Sequence, residues 1–166
     1  MRLERLVLAL AIGTCAAHAQ LQQPDPDWKE TEAPPPLSFQ TTGLIPIDIP
    51  RSSLRFGVDP ASVSLGRDGI VRYVVVAASS TGTVNAMYEG VRCDSGEFKV
   101  YARHNSGTGW TVAKDASWRS LHQQPVSRHT LTIARTGACI GRGPNRSASQ
   151  IVRDLRAPVD TRFNIN

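Results

Sequence analysis

SVSLGRDGIVRYVVVAAS, residues 62–79, decides the fold. Arg67-Asp68-Gly69 is turn chemistry between two β-rich runs and predicts a hairpin. From Ile70 to Ala78 the chain is almost continuously apolar, with Arg72 the exception. A run of that kind is buried on both faces, near the centre of a sheet packed against something else. Downstream, SSTGT turns the chain and VNAMYEGVRC (84–93) returns as a strand. The Asp94-Ser95-Gly96 turn leads into EFKVYAR (97–103), and NSGTG leads into the short strand WTVA (110–113). Upstream, LIPIDI (44–49) is an edge strand, because Pro46 cannot donate to a ladder, and LRFGV (54–58) is another short strand. The core is an antiparallel meander.

The C-terminal third is less regular. WRSLHQQ (118–124) suits one or two helical turns. SRHTLTIAR (127–135) fits a strand through its alternating threonines, or a helix through Leu131 and Ala134. SASQIVRDLRAP (147–158) is the clearest helix. Ser147 and Gln150 have capping-box spacing, Ile151, Val152 and Leu155 form an apolar face, and Pro158 ends it. Strands followed by helices predict an α+β fold: an antiparallel meander sheet with one or two C-terminal helices packed against it.

The domain occupies residues 44–157, with 158–166 as a tail. Before it, 20–43 is polar and broken by Pro24, Pro26 and Pro34 to Pro36, which predicts an extended linker that contributes little to folding. Trp28 within it is either an anchor on the domain or an exposed aromatic. Residues 1–19 have the layout of a secretory leader: Arg2 and Arg5, an apolar run from Leu6 to Ile12, then Ala17-His18-Ala19 as an A-x-A site. The apolar run is far short of the ~20 residues that span a bilayer. Cleavage after Ala19 would leave 147 of the 166 residues and lower the net charge from +5 to +4 through loss of Arg2, Glu4 and Arg5. The rival is a lipoprotein with lipid on Cys15, but Ile12 and Thr14 stand where that signal carries Leu and a small residue.

Export gives the cysteines a meaning. Cys15 leaves with the leader, and Cys93 and Cys139 remain; two cysteines in an oxidising compartment most simply pair. Free thiols, a metal site and redox chemistry are the alternatives, though no C-x-x-C pair is present. Sixteen of the 19 basic residues are arginine, which suits bidentate binding of carboxylates but is also a compositional habit. They are scattered rather than striped, which argues against nucleic acid as a partner.

The segments LIPIDI, VDPASVSLGRDGIVRYVVV, YEGVRC and KVYA, with a later cysteine before a short helix, resemble the neisserial cryptic-protein family of secreted proteobacterial proteins. The resemblance runs from about Trp28 to Arg156. It implies an exported protein with a single small domain and carries no established activity.

The candidate site is Arg72, Tyr88, Glu89 and Arg92. On a strand Tyr88 and Arg92 share one face, and Met87, Glu89, Val91 and Cys93 the other, unless Gly90 marks a bulge. A buried Glu89 needs a partner, and Arg72 on the adjacent run is the expected one. The functional alternative is a pocket in which Arg72 and Arg92 hold an acidic ligand while Glu89 orients them. No catalytic residue is assigned, because no second carboxylate or histidine is placed beside Glu89 by local spacing. His104, His122 and His129 are read as surface residues, and no G-x-S-x-G elbow or phosphate cradle is present. No metal or cofactor is expected. The sequence as a whole suggests an exported periplasmic binding or interaction module of the cell envelope, whose partner is an envelope protein or a small acidic ligand. The alternative is an envelope hydrolase using Glu89 with Arg72 and Arg92.

Overall fold

In the computed structural model, which describes residues 26–33, 38–122 and 128–157, the apolar run becomes a ten-residue strand, β4 (Ile70–Ser79). The leader (1–19), the triple proline and the tail (158–166) lie outside the described residues. Eight antiparallel strands form one sheet: β1 (Ile45–Ile47), β2 (Leu54–Val58), β3 (Ser64–Leu65), β4, β5 (Val84–Arg92), β6 (Glu97–Asn105), β7 (Gly109–Val112) and β8 (Arg119–Ser120). The order across the sheet is β1-β2-β4-β5-β6-β7, with β3 paired to β4 and β8 to β6. The expected hairpin is closed by Gly66 N–H to the Ile70 carbonyl (2.9 Å), and Gly69 takes the left-handed φ of 77° that its turn needs. The α+β meander is as expected.

Alternation along the strands makes two faces. On the inner face Val58, Val71, Tyr73, Val75, Val91, Phe98 and Val100 pack with Ile133, Ala134, Ala138, Ile151 and Leu155 of the C-terminal segment. That segment is α1 (Arg128–Ile133), a widened π-turn over Ala134–Ala138, the two-stranded ribbon β9 (Cys139–Ile140) and β10 (Gly143–Pro144), and α2 (Ala148–Leu155). SRHTLTIAR is therefore helical. Its threonines bond back to carbonyls four residues earlier, Thr132 to Arg128 and Thr136 to Thr132. Gly137 is required by close packing: a Cβ there would lie 2.5 Å from Leu155 Cγ. Ser147 caps α2 by accepting from Gln150 N–H, whereas the Gln150 side chain turns to Asp154 instead of completing the box. WRSLHQQ departs from the helical expectation. Arg119–Ser120 pair with Glu97–Phe98 as β8, because Leu121 is buried and donates its N–H to Gly96 O, drawing the chain alongside β6.

The outer face is covered too, by the segment expected to be a linker. Ala33 and Phe39, with Leu44 at the start of the domain, pack on Val74, Val76, Ala86, Tyr88 and Ala102. Trp28 Nε1–H donates to the Asp68 carbonyl (2.9 Å). Gln40 N–H donates to Asp59, and Phe39 meets His104 and Trp110 edge-on. The described parts of 20–43 thus form a strap across the sheet, and β4 is buried on both sides because helices cover one face and the strap the other. Deleting the strap is accordingly expected to destabilise the fold rather than leave it unchanged. Trp28→Ala should cost about 2 kcal/mol, for the loss of a cation–π contact and a hydrogen bond. Lys29→Ala, at an exposed position, should stay within about 0.5 kcal/mol of the parent in urea denaturation.

Candidate functional site

The sheet separates the four expected site residues. Arg72 and Tyr88 lie on the outer face, in register with Gly90 and Val74. Arg72 is 3% exposed; both of its Nη atoms are engaged, while its buried Nε meets no partner among the described residues. Its Nη1 and Nη2 donate to the two Asp68 carboxylate oxygens (3.2 and 2.6 Å), and Nη2 also reaches the Thr31 carbonyl (3.2 Å). Burial alone would raise the Asp68 carboxyl, but the hydrogen bonds from Arg72 and Thr31 hold it well below the usual carboxylate range. Gly66 makes room for this fork, since a Cβ there would sit 2.5 Å from Arg72 Nη1. Arg92 donates from Nε and Nη2 to Asp94 (2.8 and 3.0 Å), and its guanidinium lies 3.7 Å from the centre of the Trp28 ring.

An acidic group does sit between these residues, and it belongs to the strap. Glu30 accepts from Lys99 Nζ (2.9 Å), Tyr101 Oη (2.8 Å) and Trp118 Nε1 (3.2 Å), with Arg72 Nη2 at 3.9 Å. Burial raises its carboxyl, and Lys99 and Tyr101 more than offset that, so the net shift is downward. The register shift opposite Tyr88 and Glu89 leaves Tyr101 as the extra residue in β6. Gly90 is side-chain-free because the Tyr101 ring covers it: a Cβ would meet that ring at 2.9 Å. The bulge therefore falls on β6, and Glu89 keeps its inward alternation.

Glu89 is fully buried on the inner face, 0% exposed. The expected ion pair with Arg72 is not formed, since the two side chains project from opposite faces of the sheet. Glu89 is instead held by His129 Nε2 (3.0 Å to Oε1), Thr130 Oγ1 (3.1 Å to Oε2) and Tyr73 Oη (3.3 Å to Oε2). His129 is not a surface residue: α1 turns it inward, and its ring stacks on Phe56 at 5.0 Å. Burial pushes its imidazole down, the Glu89 carboxylate pushes it up, and the net shift is upward. The signal that points to His129 lies in the helical reading of SRHTLTIAR, which sets His129, Thr130 and Ile133 on one inward side.

Beside this cluster the inner face is left open by the helices, forming a cleft of about 590 Å³. Phe56 and Met87 supply apolar wall. Arg51, Arg103, Arg128 and His129 also line it, and no carboxylate does among the described residues. Arg51 has φ 61°, the one left-handed non-glycine residue among those described. Arg128 donates from Nη2 to the Pro50 carbonyl, which brings the start of α1 against the 49–53 loop. Of the remaining histidines, His104 packs in the outer aromatic cluster and His122 is exposed. Among the described residues no group of three or more His, Cys, Asp or Glu is placed to hold a metal, and no helix is long and apolar enough to cross a membrane.

Cys93 and Cys139 form a disulfide with Cα atoms 5.7 Å apart. It ties the end of β5 to the start of β9, so the open cleft and the stapled end lie at different ends of the inner face.

These features define a class: an α+β domain built on one antiparallel sheet, closed by helices on one face and by its own N-terminal strap on the other. The chain belongs to the CNP1-like family, whose model matches residues 23–156, strap included. Neither a curated protein nor a solved structure matches the chain.

Proposed function

We propose that this chain is an exported, periplasmic binding or interaction module of the cell envelope, non-enzymatic, with the inner-face cleft as its contact surface. The observation that carries this reading is the cleft itself: arginines converge on an apolar wall with no carboxylate among its described lining residues. The secretory layout of residues 1–19 and the disulfide between Cys93 and Cys139 support export to an oxidising compartment. The outer-face residues Arg72 and Arg92 support it less, because Asp68, Asp94 and the strap already occupy the outer ends of their guanidinium groups. A hydrolase using Glu89 with Arg72 and Arg92 would need groups that project from opposite faces. His129 points its Nε2 at Glu89, which anchors the imidazole at the cleft wall.

The reading is tested in cells. A photo-crosslinking benzoylphenylalanine is placed at Ser53 on the cleft rim or at Val112, which is 81% exposed and outside the cleft. The expected result is a periplasmic protein beginning at Gln20 that forms an adduct from Ser53 and none from Val112. Retention in the cytoplasm, a lipid-bearing Cys15, or no adduct from Ser53 would overturn it.

A further inference from the structure

We infer that the cleft takes an anionic amphiphile: one carboxylate or phosphate head on a short apolar chain or ring. This rests on the cleft being the contact surface. Its two kinds of wall stand side by side, because Met87 on β5 is the register partner of Arg103 on β6. A ligand whose head reaches Arg103 therefore lays its next atoms on Met87 and Phe56.

The charge of the cleft comes from its arginines. The His129 imidazole is taken up by its buried carboxylate partner Glu89, so the charge offered to a ligand is that of the arginines. Arg51 and Arg103 make no ion pair among the described residues, and Arg128 bonds a neutral carbonyl. Arginine forks match planar or tetrahedral oxyanions and are weakly hydrated for cations, so they hold a carboxylate or phosphate at low desolvation cost. Arg51 adds a second sign of a built site. Its left-handed backbone is strained for a residue with a side chain, and such residues cluster at ligand clamps. Size supplies the apolar half of the ligand. At about 590 Å³ the cleft lies within the ~300–1,000 Å³ typical of small-molecule sites, and a bare inorganic anion would leave Phe56 and Met87 uncovered.

Calorimetric titration of the disulfide-bonded chain from Gln20 to Asn166 tests this with four probes: octanoate, 4-phenylbutyrate, 1-octanol and inorganic phosphate. At least one of the two carboxylates should bind, about tenfold or more tighter than octanol and phosphate, in line with the strength of hydrogen bonds to charged groups. Preference between octanoate and phenylbutyrate separates a chain-bearing source from a ring-bearing one. Arg103→Gln and Arg128→Gln should each weaken binding about tenfold. Arg67→Gln, in the exposed hairpin turn, should not change it. Thermal melts confirm that the variants fold. Equal binding of octanol, equal binding of phosphate, or no binding by any probe would overturn the inference. A protein adduct at Ser53 that octanoate does not diminish would also overturn it, while leaving the cleft as the contact surface.

Discussion

Glu89→Ala is expected to cost about 3–5 kcal/mol of folding stability, the range for removing one partner of a buried ion pair. Three groups lose their acceptor at once: the His129 imidazole, the Thr130 hydroxyl and the Tyr73 hydroxyl. Tyr73 and Thr130 are fully buried and cannot turn to water, and His129 is left without its carboxylate at the wall of the cleft. Glu89→Gln keeps an acceptor oxygen and removes the charge, so it should cost less and expose the electrostatic part. That part has a defined pH dependence. The His129 imidazole is raised in the folded chain above its ordinary 6.5. A raised value means that the pair's contribution is fully present below the unfolded value and is lost as pH rises through the folded one. The stability gap between the parent and Glu89→Gln should therefore narrow as pH rises above the ordinary 6.5. Urea denaturation across that range measures it. A gap that widens with pH would mean that His129 is neutral in the fold, and an alanine variant as stable as the parent would mean that Glu89 is not buried.

Loss of the disulfide is the second large effect. Cys93 and Cys139 are 46 positions apart, and closing a loop of that size stabilises by about 4 kcal/mol in the chain-entropy model. A whole domain is typically stable by only ~5–15 kcal/mol. The bridge joins β5 to the C-terminal segment, whose two helices are short, at six and eight residues. Such helices are marginal alone and depend on being held against the sheet. Cys93→Ala, Cys139→Ala and the double variant should be destabilised by similar amounts, since each removes the same constraint. Mass spectrometry of the non-reduced protein should find one intramolecular cross-link. Two free thiols in freshly isolated protein, or single variants with unrelated costs, would contradict the staple.

Much of the fold was legible because it rests on local patterns. The β4 run, the Asp68-Gly69 and Asp94-Ser95-Gly96 turns and the α2 cap each announce themselves within a few residues. The disulfide followed from pairing the two cysteines that lie outside the expected leader. The strap was not legible, because its composition is that of a linker and its contacts are long-range. Trp28 meets Asp68 40 residues away, and Glu30 meets Trp118 across 88. A few aromatic and charged residues anchor a stretch whose average polarity says otherwise. At the site, alternation placed Glu89 on the inner face correctly. Its partner was misassigned because strand neighbours share a face only in register. Arg72 stands opposite Gly90, and it is Tyr73 that stands opposite Glu89. His129 comes from α1, across the layer, and no spacing within VNAMYEGVRC points to it.

The central claim is that ligands meet this protein in the inner-face cleft and not on the strap-covered face that carries Arg72, Tyr88 and Arg92. Backbone amide shifts of the isotopically labelled chain during titration with octanoate and 4-phenylbutyrate test it most directly. The expected result is a set of shifts confined to residues around Arg51, Phe56, Met87, Arg103, Arg128 and His129. Shifts centred on Arg72, Tyr88 and Arg92, with Trp28 and Glu30 released from the sheet, would contradict it.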